Sequence, residues 1–262
     1  MMKKLLIIAA ATAGLASPVL AAGGAGYVED KAFSFEGPFG TFDQDQLQRG
    51  FQVYHEVCSA CHGLKFVAFR NLGSEYGPAF PEEQVKAIAA LYEVADDEGE
   101  PGDTRSALAS DKFPANDGVG APDLSLMAKA RAGFHGPSGL GINQMLYGIG
   151  GPEYIYSLLT HYTGEEKEEA GATLYGNETY GGGYLSMAAP LEEGSVEYAE
   201  GQPEATLEQM SEDVSAFLMW TAEPKLTERK HAGFRNIGFL LLLMVLFYYT
   251  NKKIWAPVKR KD

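Results

Sequence analysis

Residues 58–62 read Cys-Ser-Ala-Cys-His, and the rest of the chain is organised around this stretch. The spacing Cys-x-x-Cys-His is the attachment pattern of a c-type haem. Two thiols three positions apart on one helical turn point the same way and can form thioethers with the two haem vinyl groups. The next residue, His62, then comes under the iron and supplies one axial ligand. The motif predicts one haem c, covalently bound through Cys58 and Cys61.

The two cysteines allow three other interpretations. A redox-active pair needs a preceding strand and a lowered thiol pKa, and the sequence indicates neither. A structural zinc site needs four ligands. His62 and a second histidine would then have to join Cys58 and Cys61, because the chain has no other cysteine. A disulfide between the two cysteines stays open.

The sequence before the motif predicts a helix that leads into it. Residues 23–42 are rich in glycine and phenylalanine and are predicted to form an extended arm that lies on the domain. Asp43, with Gln46 three residues later, is typical of a helix start. Apolar residues then recur at helical spacing as far as the motif, at Leu47, Phe51, Tyr54 and Val57. Gly63 is expected to end this helix.

Residues 1–22 have the pattern of a secretory signal peptide. Two lysines precede a short apolar run that ends in small residues, and cleavage is expected after about Ala21 or Ala22. A first membrane-spanning helix is the alternative, but the apolar run is short. We therefore expect the mature protein to start outside the cytoplasm, on the side where c-type haem is attached.

The charge of the chain is distributed unevenly. Residues 23–224 carry 33 acidic and 10 basic side chains, whereas the residues from 225 onward carry 9 basic and 2 acidic ones. A strongly acidic domain does not favour nucleic acid or an anionic membrane surface as a partner. It favours a cationic partner.

Residues 231–251 are predicted to cross a membrane once. Thirteen apolar residues follow one another from Ile237, and extension back to Ala232 gives about nineteen with a single charge. This is long enough for a hydrocarbon core of ~30 Å, and a buried core helix is the alternative. The positive-inside rule places the basic tail, residues 252–262, in the cytoplasm. Residues 23–230 then form one periplasmic haem domain.

The sequence between the motif and the anchor alternates helical patterns with long irregular stretches. Thr206 with Gln209 is typical of a capped helix start. Predicted helices are 82–94, a short one ending near 131, 154–162 and 206–222, and predicted loops are 96–120, 133–152 and 164–184.

The second axial ligand of the haem has to come from the residues after the motif. The candidates are His135, His161, Met127, Met145, Met187, Met210 and Met219. Met210 and Met219 fall at helical spacing and are predicted to pack in the core. Met187 lies in an irregular, glycine-rich stretch closed by Pro190, where a thioether is free to face a metal. Core packing is nevertheless the usual role of methionine, and the residues alone leave the choice open.

Four stretches together resemble the cytochrome c1 family, the haem c subunits of the ubiquinol–cytochrome c oxidoreductase (cytochrome bc1) complex. They are RGFQVYHEVCSACH at 49–62, APDLS at 121–125, GPEYIYSLLT at 151–160 and DVSAFLMWTAEP at 213–224. The insertion GFHGPSGLG at 133–141 is similar to the alphaproteobacterial forms. The resemblance implies a mainly α fold. It consists of a class I cytochrome c-like haem domain with long irregular loops, plus one C-terminal transmembrane helix.

The resemblance also implies roles for four further residues. Met187 would be the sixth ligand of the iron, and the Pro122 carbonyl would hold the ring N–H of His62. Arg131 would pair with a haem propionate, and Tyr154 would lie near the haem. From the residues alone, Arg131 would be interpreted as a solvated surface side chain.

The resemblance implies an electron-transfer function in a bacterial inner membrane. Electrons would pass from a Rieske iron–sulfur subunit through the haem to a soluble cytochrome c, in a complex that also contains cytochrome b. A stand-alone membrane-anchored electron shuttle is the alternative. A haem peroxidase is more distant, because it needs an open iron position, which Met187 would fill.

Two departures from the family pattern affect the segment around Met187. Similar bacterial proteins usually carry an extra cysteine pair before the axial methionine, and this chain has none. The prolines that follow the methionine in the family are Ala188 and Ala189 here, and only Pro190 is kept. Both changes are expected to loosen the segment. His161 stands where glycine is common and is interpreted as a surface substitution.

Overall fold

The computed structural model describes residues 26–96, 99–100, 102–116, 118, 120–131, 148 and 150–259. The predicted signal peptide and most of the predicted loop at 133–152 lie outside these residues. The helices are α1 Gln44–Glu56, α2 Glu82–Ala90, α3 Met127–Ala130, α4 Gly151–Thr160, α5 Leu207–Ala222 and α6 Leu226–Lys259. The strands are β1 Glu93–Ala95, β2 Thr104–Ser106, β3 Tyr162–Glu169, β4 Ala172–Asn177 and β5 Tyr184–Leu185. The fold is mainly helical, as the sequence predicts.

Both long helices of the domain begin where the sequence predicts. The Asp43 carboxylate accepts the backbone N–H of Gln46 at 2.9 Å, and the Thr206 hydroxyl accepts that of Gln209 at 3.2 Å. Each bond satisfies one of the N–H groups that a helix start leaves without a partner. The boundaries of α1 and α5 are therefore fixed by local side-chain chemistry.

The core of the domain lies where α1 crosses α5. Any side chain at Gly50 would collide with the carbonyl oxygen of Asp213 and come within 2.7 Å of the Phe217 Cβ atom. Only glycine permits so close an approach of the two backbones. Phe51 packs edge-on against Phe217, and the fully buried side chains around the crossing include Tyr54, Phe113, Met210, Val214 and Trp220. The predicted core role of Met210 is confirmed.

A buried ion pair joins the same two helices. The guanidinium group of Arg49 donates to both carboxylate oxygens of Asp213, at 2.8 and 3.0 Å, and Asp213 is fully buried. Tyr198 and Gln209 also donate to this carboxylate, at 2.9 and 3.0 Å. A buried charge with all its hydrogen-bonding positions used is tolerated, whereas removal of one partner would leave a costly unpaired charge.

Helix α2 is shorter than predicted. It ends at Ala90 rather than at residue 94, and Glu93–Ala95 forms β1, which pairs antiparallel with β2. The Tyr92 hydroxyl lies 2.7 Å from Nδ1 of His55, and the Tyr92 carbonyl accepts the N–H of Ala107. These long-range bonds hold Tyr92 in a non-helical position just after α2. The partner residue Ala107 directly follows β2, so the predicted loop at 96–120 contains a strand that pairs with β1.

A three-stranded antiparallel sheet occupies most of the predicted loop at 164–184. Its order is β3-β4-β5, with Gly176 opposite Tyr184 and Tyr175 opposite Leu185. Ala170 and Gly171 form the two-residue turn between β3 and β4, and both have positive φ, as such tight hairpins require. The prediction of an irregular segment here is wrong, because β3 is highly charged and shows no alternation of apolar residues.

The described part of the arm before α1, residues 26–43, contains no helix or strand and lies on the domain, as predicted, but it turns at 34–35 and 37–39. Phe33, Phe35 and Phe42 are buried in the common core. The backbone N–H of Glu29 donates to the Ser157 hydroxyl at 2.9 Å, and Lys31 pairs with Glu212 at 2.9 Å. The arm is therefore attached to both α4 and α5.

Helix α6 begins inside the domain and then leaves it. Leu226 and Thr227 are buried, and the Lys230 ammonium donates to the Phe35 and Gly40 carbonyls, at 2.7 and 3.1 Å. The large apolar side chains from Ile237 to Trp255 are exposed. With 34 residues, α6 is about 51 Å long at ~1.5 Å per residue, more than a hydrocarbon core of ~30 Å requires. Residues 226–257 are long and apolar enough to span a membrane. Their most apolar 18-residue stretch is not buried, which argues against a core helix.

Candidate functional site

The Cys-x-x-Cys-His motif lies on a tight turn that directly follows α1. The α-helix ends at Glu56, earlier than predicted, and Cys58–Ala60 form one turn of 3-10 helix. The Ser59 hydroxyl donates to the carbonyl of His55 at 2.7 Å. The Cys58 carbonyl accepts the N–H groups of Cys61 at 3.1 Å and His62 at 2.9 Å. The winding therefore continues through the motif and keeps the two thiols and the imidazole on one turn.

The two thiols are free and suited to covalent attachment. Cys58 is half-buried, Cys61 is exposed, and no disulfide joins them. Burial raises the pKa of the Cys58 thiol to about 12, with a further contribution from Cys61. A redox-active pair requires a lowered thiol pKa, and the shift at Cys58 is in the opposite direction. Among the described residues, no three His, Cys, Asp or Glu side chains converge to hold a metal ion.

The imidazole of His62 is held by a hydrogen bond at its Nδ1 atom. Its Nδ1 atom lies 2.7 Å from the Pro122 carbonyl oxygen, and the Tyr54 hydroxyl donates to the His62 backbone carbonyl at 3.0 Å. A carbonyl accepts only, so Nδ1 carries the proton and the Nε2 lone pair is left for a metal. Such a bond fixes the tautomer and orientation of a ligating histidine. His62 and the Pro122 carbonyl are thus within hydrogen-bond distance, and the role of Pro122 beside a haem ligand stays a prediction.

The segment that supplies the Pro122 carbonyl is bound tightly to the residues after the motif. Leu124 donates its N–H to the carbonyl of Gly63 at 2.9 Å. Asp123 accepts the N–H of Lys65 at 2.9 Å through one carboxylate oxygen and that of Ser125 at 3.0 Å through the other. The position of the Pro122 carbonyl therefore depends on a side chain that the motif does not reveal.

Arg131 and Tyr154 lie close together. Arg131 is exposed just after α3, and Tyr154 is largely buried in the first half of α4. Burial raises the pKa of Tyr154, while the hydrogen-bonded charge of Arg131 opposes that rise. Helices α3 and α4 approach each other so closely that a side chain at Gly151 would collide with the Ala128 carbonyl oxygen. An exposed guanidinium beside a tyrosine is a suitable partner for an anionic group such as a propionate.

Met187 lies outside the hydrophobic core. It is half-buried and follows β5 by two residues, and its carbonyl accepts the Tyr162 hydroxyl at 3.0 Å. Burial raises the pKa of Tyr162, so the hydroxyl remains a donor at neutral pH. The role of Met187 as the sixth ligand stays a prediction.

The competing ligand candidates are mostly occupied elsewhere. Met210 is fully buried, and Met127 and Met219 pack against the core. The His161 ring lies at the end of α4, where Nδ1 is 3.0 Å from the Ser157 carbonyl oxygen. The side chain is therefore hydrogen-bonded to the domain, whereas the sequence predicts a surface substitution. His135 and Met145 lie outside the described residues.

Three side chains of this site carry no functional signal in the sequence. They are Tyr54, Asp123 and Tyr162, which bond to the backbone of His62, of Lys65 and of Met187. Tyr54 was predicted only as part of the apolar face of α1. The contacts of Asp123 and Tyr162 span 58 and 25 residues, and that of Tyr54 spans eight, so none follows from a local pattern.

The donor set fits a covalently attached haem. Two free thiols and an imidazole with an occupied Nδ1 share one turn, and a half-buried methionine lies outside the core. This turn on a helical domain that continues into a long apolar helix defines a membrane-anchored c-type cytochrome.

Comparisons with known proteins specify the family. The family model described as the Cytochrome C1 family matches residues 33–258. The chain is 50% identical to cytochrome c1 of Cereibacter sphaeroides, over 100% of this chain and 98% of that protein. It is 46% identical to cytochrome c1 of Rhodobacter capsulatus, over 98% of this chain and 99% of that protein. It is 38% identical to the mitochondrial cytochrome c1 haem protein of Saccharomyces cerevisiae, over 88% of this chain and 72% of that protein. The chain belongs to the cytochrome c1 family and carries one covalently bound haem c. The resemblance to alphaproteobacterial forms is confirmed.

Proposed function

We propose that this chain carries single electrons within a cytochrome bc1 complex, from a Rieske iron–sulfur subunit to a soluble cytochrome c. Membership of the cytochrome c1 family supports the electron-transfer role. The observation that carries the proposal is the turn at 58–62, on which His62 is oriented by the Pro122 carbonyl. A donor group oriented in this way suits a permanently ligated redox centre, which exchanges electrons without binding a substrate at the metal.

Each site residue has a distinct role in this proposal. Cys58 and Cys61 would hold the cofactor through thioethers, and Nε2 of His62 and the sulfur of Met187 would ligate the iron. When bound, haem c supplies a one-electron carrier whose potential depends on its ligands and surroundings. Arg131 would pair with a propionate, beside Tyr154.

Met187 as a ligand would also determine what the site excludes. With Met187 as the second protein ligand of the iron, peroxide and oxygen would find no open position, which disfavours peroxidase chemistry. A thioether ligand raises the reduction potential, which suits a carrier that passes electrons on to another c-type cytochrome.

The membrane orientation is part of the proposal. Residues 1–22 would be removed, residues 23–230 would lie in the periplasm and residues 231–251 would cross the inner membrane. The exposed apolar side chains of α6 support the membrane crossing. The basic residues within 252–262 support a cytoplasmic C-terminus under the positive-inside rule. Cytochrome b would be the neighbour of α6 within the bilayer.

The proposal is tested by purification of the native membrane complex through a tag on this chain. A tag at the C-terminus keeps the predicted signal peptide unaltered. We expect cytochrome b and a Rieske protein to co-purify, and the preparation to oxidise quinol and reduce cytochrome c. A haem-bearing chain isolated alone, under mild detergent conditions that keep other respiratory complexes intact, would instead favour the stand-alone shuttle.

A further inference from the structure

The segment that presents Met187 has no regular structure of its own. Residues 186–206 contain neither helix nor strand, and β5 ends at Leu185, two residues before Met187. The next buried apolar side chain along the chain is Leu191. Both cysteines of the chain lie in the motif at 58–62, so no disulfide braces this segment.

One side chain nevertheless fixes its backbone. The Tyr162 hydroxyl donates to the carbonyl oxygen of Met187 at 3.0 Å. Within the part of the chain that the structure describes, no backbone-to-backbone hydrogen bond links residues 187–190 to the rest of the domain. The bond from Tyr162 therefore acts directly on the residue whose side chain would reach the iron.

Tyr162 is itself held rigidly. It is the first residue of β3, two positions after the end of α4, and it lies opposite Asn177 of β4. Asn177 is almost fully buried, and its side-chain amide donates to the carbonyl of Leu158 in α4 at 2.8 Å. The hydroxyl thus comes from a junction of helix and sheet that is anchored independently of the 186–206 segment.

We infer that Tyr162 is a positioning residue for Met187, whose backbone it fastens to the end of α4 in place of a disulfide. The inference rests on the proposed role of Met187 as an axial ligand. A methionine side chain has three rotatable bonds, so the sulfur stays near one point only if the backbone is restrained. The bond to the carbonyl supplies that restraint and leaves the side chain free to reach the metal.

The test is the variant Tyr162→Phe, made in the full chain within the membrane complex. The net contribution of one neutral hydrogen bond corresponds to about a fivefold change in an equilibrium constant. We therefore expect the fraction of reduced protein with a dissociated methionine to rise about fivefold. Carbon monoxide, which binds only after the methionine leaves, should bind about fivefold faster at a fixed concentration. Haem content should equal that of the unaltered protein.

Tyr184→Phe is the matched control. Tyr184 lies in the same sheet, three residues before Met187, and its hydroxyl donates to the Glu165 carboxylate at 2.9 Å. The substitution removes the same group and a bond of similar length, but this bond does not reach the backbone of Met187. We expect the rate of carbon monoxide binding to stay unchanged in this variant.

The outcomes separate this inference from the ligand assignment. If Met187→Leu keeps the methionine–iron charge-transfer band, the ligand is another residue and the proposed site is wrong. If Met187→Leu loses the band while Tyr162→Phe binds carbon monoxide at the unaltered rate, the positioning role is refuted. Equal effects of Tyr162→Phe and Tyr184→Phe also refute it. So does a loss of haem from Tyr162→Phe, because the inference gives the hydroxyl no part in haem attachment.

Discussion

The Nδ1 atom of His62 lies 2.7 Å from the carbonyl oxygen of Pro122, a residue 60 positions further along the chain. The acceptor is a backbone atom, so no substitution of the proline side chain removes it. Its position depends instead on Asp123, whose two carboxylate oxygens accept the N–H groups of Lys65 and Ser125. This carboxylate is therefore the point at which the His62 contact can be altered.

Asp123→Ala should raise the reduction potential of the haem. Loss of the carboxylate lets the segment at 122–125 shift, which weakens the Nδ1–H bond of His62 and makes Nε2 a weaker donor to the iron. We also expect a loss of about 1 kcal/mol in the free energy of unfolding. Potentiometric titration measures the first effect. Asp103→Ala, which removes a similar carboxylate-to-backbone bond to Glu100 in the β1–β2 loop, should leave the potential unchanged.

Met187→Leu should lower the reduction potential sharply and abolish the methionine–iron charge-transfer band of the oxidised protein. Leucine has a similar volume but cannot ligate, so the change tests the ligand rather than packing. Met219→Leu, at a methionine packed against the core, should keep the band. Survival of the band in Met187→Leu would direct the search to His135, Met145 or Met127.

A chain that ends at His231 should be a soluble, haem-bearing domain with an unchanged visible spectrum. It retains the buried Leu226 and Thr227, and also Lys230, which donates to two carbonyls of the arm. A chain that ends at Pro224 loses these contacts, and burial of one leucine side chain alone contributes about 1.5–3 kcal/mol. Chemical denaturation should therefore show the shorter chain to be less stable. Equal stability would mean that the start of α6 is not part of the domain.

Glu153→Gln should flatten the dependence of stability on pH. Glu153 is buried at the first turn of α4, and burial together with hydrogen-bonded Glu36 raises its pKa from 4.5 to about 8. Asp30 adds to this rise, and Lys230 acts on the facing Glu36. The folded state then keeps a proton that the unfolded state releases, so stability falls as pH rises from 4.5 to about 8.

Unfolding midpoints between pH 5 and pH 9 measure this effect. Above pH 8 the Gln variant should be more stable than the unaltered protein, because it carries no carboxyl group to be kept neutral. Glu208→Gln is the matched control, since Glu208 lies in the first turn of α5 but is exposed. Parallel curves for the Glu153 variant and the unaltered protein would contradict the assigned shift.

The acidic surface should accelerate encounter with a lysine-rich cytochrome c by about 10- to 1,000-fold at low salt. Screening shortens to ~8 Å at physiological ionic strength, so the rate should fall steeply as salt rises. Glu192 and Glu193 are exposed and follow Met187 by five and six residues. We expect Glu192→Gln with Glu193→Gln to reduce the salt dependence of the second-order rate constant. Glu82→Gln with Glu83→Gln, on α2, removes the same charge and should have a smaller effect.

The helical part of the fold was predictable from sequence because its signals are local. The caps at Asp43 and Thr206 each act over three residues, and the core position of Met210 follows from helical periodicity. The sheet β3-β4-β5 was missed, because β3 is charged and exposed and its register depends on a turn at Ala170 and Gly171.

The residues of the candidate site also divide into those that a local sequence pattern predicts and those that it does not. Cys58, Cys61 and His62 are adjacent in sequence, and their chemistry was predicted from spacing alone. Pro122, Arg131 and Tyr154 came only from the family resemblance, because a backbone carbonyl or a lone arginine has no pattern that marks its role. The bond from Tyr162 to Met187 spans 25 residues and depends on how β3 leaves α4.

The junction of α5 and α6 limits how this protein can move. Only residues 223–225 separate the two helices. Glu223 is paired with Lys129 of α3 at 3.2 Å and with Arg229 of α6. Leu226 and Thr227, the first two residues of α6, are buried in the domain. If residues 231–251 cross the membrane as proposed, this junction leaves the haem domain no free swivel on its anchor. Under the proposed function, the approach of a partner's redox centre to the haem would then fall to the partner.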